Sequence, residues 1–149
     1  MRTLHFISII LAFSLLLFSC NKEALETEEQ QKEDTKIFNG TYTGSFTVHY
    51  RTLVKTGSLT LELKDGKYSC SGNTDRIPAG GSGKFSSKNG IITFKDQNFW
   101  TADFDGNLIL TGPYMYIFDG KNLIISAFRG EAGPYEYFLE KMTPVPDLR

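Results

Sequence analysis

Between residues 41 and 142 apolar and polar side chains alternate, and turn dipeptides cut the alternation at short intervals. A period of two places successive side chains on opposite faces of a strand, so this texture predicts a run of antiparallel strands. In 41–50, Tyr42, Phe46, Val48 and Tyr50 share one phase, and Thr41, Thr43, Ser45, Thr47 and His49 take the other. In 58–64, Leu59, Leu61 and Leu63 alternate with Thr60, Glu62 and Lys64. Asp65-Gly66 predicts a tight hairpin into 67–71, where Tyr68 and Cys70 share a face. A glycine-rich loop, 78–83, leads to a short strand at 84–87, and Asn89-Gly90 is a second hairpin signal, into 91–95. Residues 108–118 read as one long strand, bent or bulged at Gly112-Pro113. Asp119-Gly120 turns the chain into 122–129, and 130–133 turns it into 134–142, where Tyr135, Tyr137 and Leu139 oppose Glu136, Phe138 and Glu140. Segment 96–106 fits no strand and predicts either a helical turn or a lid.

Eight sequential antiparallel strands are satisfied most economically by closing the sheet, which abolishes its edges. The expected fold is therefore all-β, an eight-stranded antiparallel up-and-down barrel. A β-sandwich is the alternative, because one sequence does not fix the pairing order. No stretch of this region sustains a 3.6-residue amphipathic period, so little helix is expected.

The first 36 residues have another character. Arg2 precedes an apolar run from Phe6 to Phe18, interrupted only by Ser8 and Ser14. That is the length of a signal segment and short of the roughly 20 residues a spanning helix needs. The run ends Leu17-Phe18-Ser19-Cys20, which resembles a bacterial lipobox, with Phe18 bulkier than the residue usual there. The resemblance implies removal of residues 1–19, acylation of Cys20 and attachment to the cell envelope, at the outer membrane, with the periplasmic and surface faces both open. Between Asn21 and Lys36 there are six acids and three lysines, with Leu25 the one strong apolar residue. Such a segment cannot bury a face, so 20–36 is read as the lipidated cysteine and an acidic tether, and 37–149 as the barrel domain. The domain carries 12 basic and 11 acidic groups, with no basic stripe to neutralise phosphates, so nucleic acid is excluded as a partner. The expected membrane link is covalent, through Cys20.

Few residues carry catalytic chemistry. Gly80-Gly81-Ser82-Gly83-Lys84 superficially matches a phosphate loop, but Pro78 stands at its first glycine and Phe85 at its hydroxyl position. Asp103, Asp105 and Asn107 lack the spacing and closing acid of a calcium loop. With residues 1–19 removed, His49 is the one histidine left, and Cys70 the one cysteine beside Cys20, too few for a zinc site or an internal disulfide. Cys70 reads as a small buried hydrophobe and His49 as a solvent-facing residue. No catalytic residue, metal or cofactor is expected. The aromatics weigh more. Seven tyrosines recur mostly at alternate strand positions, consistent with core packing, while Trp100 beside Phe99 is either a plug for one barrel end or the wall of a binding mouth.

Phe38-Asn39-Gly40-Thr41-Tyr42-Thr43-Gly44 resembles the Gly-x-aromatic opening of the lipocalin and avidin-like barrels, the calycins. With GSGKF at 81–85, WTADFDGNLILTG at 100–112 and YEYFLEKM at 135–142, the chain is similar to small lipocalin-like lipoproteins of Bacteroidetes-type bacteria. The resemblance implies a barrel from Phe38 to Met142 that binds a small apolar or aromatic molecule, and no catalytic residues. Tyr42, Trp100, Tyr114 and Tyr116 are the expected ligand-contacting residues. The other reading is a filled barrel whose loops, 78–83 and 96–106, bind a protein partner.

Overall fold

The computed structural model describes residues 35–130 and 133–143, so the expected signal segment, Cys20 and most of the acidic tether lie outside the described residues. Eight strands follow in order: β1 (Gly40–His49), β2 (Val54–Lys64), β3 (Lys67–Cys70), β4 (Gly81–Lys88), β5 (Ile91–Asp96), β6 (Gly112–Phe118), β7 (Asn122–Phe128) and β8 (Pro134–Lys141). Each pairs antiparallel with the next, and β8 returns to β1 through a register running from Tyr42↔Lys141 to Val48↔Tyr135. The sheet is a closed up-and-down barrel, and the sandwich alternative is excluded.

The turns close as their chemistry dictates. Asp65 and Gly66 take φ of 50° and 76°, and Asn89 and Gly90 take 52° and 76°, the left-handed pair that matches the twist of a two-residue hairpin. At the β6–β7 turn the Asp119 carboxylate accepts from the backbone N–H groups of Lys121 and Asn122, at 2.8 and 2.6 Å. Inward positions follow the alternation: Tyr42, Phe46 and Val48 from β1, Leu59, Leu61 and Leu63 from β2, Leu123 and Ile125 from β7, and Tyr135, Tyr137 and Leu139 from β8 are all buried. On the opposite phase His49 lies outside, its Nε2 3.5 Å from the Glu136 carboxylate.

Two ends can be distinguished. The hairpins at 65–66, 89–90 and 119–121 gather where β1 begins, and Phe38 closes that end. Its ring lies edge-on to Tyr116 at 5.1 Å and 5.2 Å from Phe118, and its carbonyl accepts from the Tyr42 hydroxyl at 2.7 Å. The other end is crossed by two connections, 71–80 and 97–111. They are zipped together: the Ala79 N–H donates to the Leu108 carbonyl, the Leu110 N–H donates to the Gly80 carbonyl, and Gly80 bridges Ile109 in parallel.

That zipper corrects one expectation. Residues 108–111 are not the start of a long strand. Leu108 ends a 3-10 turn, Gly106–Leu108, and Leu108, Ile109 and Leu110 are buried because they seal the barrel end; β6 begins only at Gly112. A continuous apolar run satisfies a strand pattern and a buried strap equally well. In the other direction, β2 starts four residues and β4 three residues earlier than the alternation implied, because Val54–Gly57 and Gly81–Gly83 pair with their neighbours.

Candidate functional site

Within the half of the barrel under the strap, β3, β6 and β8 turn polar-tipped side chains into an otherwise apolar interior: Cys70, Tyr114, Tyr135 and Tyr137. The Tyr114 and Tyr137 rings meet edge-to-face at 5.8 Å, and Phe46 packs on Tyr137 at 4.6 Å and on Tyr135 at 6.1 Å. Arg129 joins them from just past β7, its guanidinium 4.7 Å above the Tyr114 ring. A side chain at Gly112 would touch that guanidinium, a Cβ there lying 3.4 Å from Nη2, so the glycine leaves the space Arg129 occupies. Nη2 donates to the Thr111 carbonyl.

Hydrogen bonding in this cluster is incomplete. The hydroxyls of Tyr114, Tyr135 and Tyr137 and the Nε of Arg129 are shut off from water without a hydrogen-bond partner. Tyr114 and Tyr137 are close enough to bias each other's titration, yet their hydroxyls do not meet hydrogen-bond geometry. Each unmade bond to a buried group costs about 1–3 kcal/mol, and native interiors seldom tolerate several together. By contrast the other inward tyrosines are satisfied. Tyr68 donates to the Leu110 carbonyl at 2.6 Å, and Tyr50 donates to Asp105 Oδ2 at 2.9 Å, beneath the 3-10 turn that Asp105 caps.

Burial sets the ionisation here. It pushes the Tyr114 hydroxyl up to about 12 and holds Tyr137 well above the ordinary phenol value, with Tyr114 adding to the effect. Burial raises Tyr135 too, reinforced by the charge of Asp105. The Cys70 thiol is likewise pushed up to about 12 by burial, which leaves it an unreactive packing group. Among the described residues no three His, Cys, Asp or Glu side chains lie close enough to hold a metal ion.

The four residues expected to contact a ligand do not converge. Tyr114 sits in the unsatisfied cluster. Tyr42 and Tyr116 lie at the closed end against Phe38, and the Tyr42 hydroxyl is already bonded. Trp100 stands on the connection above the barrel, half-exposed, its indole N–H on Asp96 Oδ2 at 2.6 Å and its ring on Phe104 at 5.7 Å. It is not the plug, which is made by the buried side chains of Leu108, Ile109 and Leu110. Loop 78–83 is not a free contact surface either, since Pro78, Ala79, Gly80 and Gly81 are buried. Arg129 was missed, although the pattern holds it: Leu123, Ile125 and Ala127 point inward, and 129 is the next position of that phase. No protein-family model matches the chain, and no curated protein or solved structure proves similar to it.

Proposed function

We propose that this is a lipid-anchored protein of the cell envelope, held at the outer membrane through Cys20, whose barrel takes up a small apolar or aromatic molecule without catalysing a reaction on it. The observation that carries the reading is the unsatisfied cluster: three tyrosine hydroxyls with open hydrogen-bond capacity, surrounded by apolar walls. Packing accounts for the rings of these residues and leaves their hydroxyls without a hydrogen-bond partner. Ligand sites have this composition, a largely apolar lining with a few placed polar groups. Burying the ligand's apolar body contributes roughly 25 cal/mol per Å² hidden. The hydroxyls are sealed from water in the closed barrel, so entry requires the strap 97–111 to shift.

Trp100 rides on that strap and reports its movement. Titrating the full chain with a panel of hydrophobic and aromatic compounds is expected to change Trp100 emission saturably and to raise the unfolding temperature with ligand concentration. A panel that produces neither response overturns the reading. A second reading, loop-mediated contact with a protein, is favoured by Phe99, which is fully exposed on the same connection. Phe99→Ser would abolish that contact and leave small-molecule binding intact.

A further inference from the structure

Arg129 raises a question of charge that a neutral ligand would not answer. It continues the inward phase of β7, its guanidinium lies over the Tyr114 ring, and one terminal nitrogen is committed to the Thr111 carbonyl. Its Nε–H is sealed from water and has no acceptor. Among the described residues no carboxylate forms an ion pair with it. Asp105, whose charge acts on Tyr135, is engaged on both oxygens, by the Asn107 N–H at 2.9 Å and by the Tyr50 hydroxyl. A partly buried guanidinium with one N–H shut off from water and no counter-charge beside it is suited to receive an anion.

The chemistry of the surrounding donors narrows the anion. A guanidinium presents a planar fork that matches a carboxylate, and phenolic hydroxyls add neutral donors beside it. One guanidinium offsets one negative charge; a dianion such as phosphate would remain half uncompensated. A cationic ligand would be repelled by Arg129, and a neutral one would leave its charge bare. The walls next to the polar cluster, Phe46, Ile125 and Ala127, suit a hydrocarbon body.

We propose that the molecule taken up by the barrel is a small monocarboxylate, its ionised head received by Arg129 with the hydroxyls of Tyr114, Tyr135 and Tyr137, and its apolar body against Phe46 and Ile125. This rests on the reading of the barrel as a ligand site and adds the class of ligand.

The test compares isosteric acids and amides on the full chain by calorimetric titration, using benzoate against benzamide and hexanoate against hexanamide. At least one acid is expected to bind tenfold or more tightly than its amide. Arg129→Gln should reduce the acid to the level of the amide, and Arg129→Lys should restore part of the preference. Tyr114→Phe and Tyr135→Phe provide the same reading if the Arg129 variants fail to fold, each weakening the acid severalfold more than the amide. Acid and amide binding equally would overturn the carboxylate assignment while the barrel remained a binding protein. So would binding of neutral compounds from the wider panel with no response to either acid. A drop in stability for Arg129→Gln with an unaltered acid-to-amide ratio would reduce Arg129 to a packing role and sink the assignment. No response to any compound would remove the binding reading together with this one.

Discussion

Phe38 stoppers the end of the barrel at which β1 begins, and three aromatic side chains converge on it. Its ring meets Phe85, Tyr116 and Phe118, and it is fully buried. Phe38→Ala should therefore cost about 3–5 kcal/mol, since the rigid barrel cannot collapse into the space left behind; a denaturant titration of wild type and variant measures it. The inward tyrosines make a second prediction. Burial pushes Tyr42 and Tyr114 to about 12, so the fold favours their protonated form. A raised value in the fold means that the contribution is complete below the unfolded phenol value of about 10 and is lost as pH climbs from there toward 12. Each of these tyrosines then removes about 1.4 kcal/mol of stability per pH unit across that window. Stability should be level up to pH 10 and fall beyond it, with tyrosinate absorbance appearing together with unfolding. Tyrosinate appearing near pH 10 in a barrel that is still folded would contradict this.

At the scale of the element, β1 is the strand on which closure depends, because it is both the first strand and the partner of the last. Gly44 marks where β8 presses against it: a Cβ there would lie 1.9 Å from the Phe138 carbonyl oxygen and 3.0 Å from the Leu139 Cα. Both obstacles are backbone, so no rotamer change relieves them. Gly44→Ala should destabilise the barrel by at least about 1–3 kcal/mol, and amide exchange should quicken first along the β1–β8 seam, where a native-state exchange experiment would detect it. Most elements were legible in the sequence because hairpins with Asp-Gly or Asn-Gly at their tips have few alternative conformations, and because one buried face imposes a period of two. What escaped reading was set by long-range contact. The run Leu108-Ile109-Leu110 is apolar because it covers a barrel end, and Phe38 is buried because hairpins distant in sequence meet around it. The candidate site was half legible. Tyr114 stood in the right phase and Arg129 occupied an inward position, but the missing acceptor on Arg129 Nε is a property of three-dimensional packing that no spacing reveals.

For the molecule as a whole, closure leaves the strap, which belongs to no strand, free to move without unpairing the sheet. It is held by its backbone zipper to 71–80 and, on the outside, by Arg76, whose guanidinium stacks 4.7 Å over the Phe104 ring and reaches Asp103 at 2.9 Å. That ion pair is exposed and so contributes little to global stability. Arg76→Ala should shift the overall unfolding free energy by less than about 1 kcal/mol while speeding amide exchange in 97–111 and the approach of any ligand to equilibrium; equal exchange in both proteins would show that the zipper alone governs the strap. The chain enters the barrel through Thr35–Phe38 and leaves it after Lys141, both at the end sealed by Phe38. Whatever grips this protein by its leading segment thus holds it from behind, with the strap on the far side.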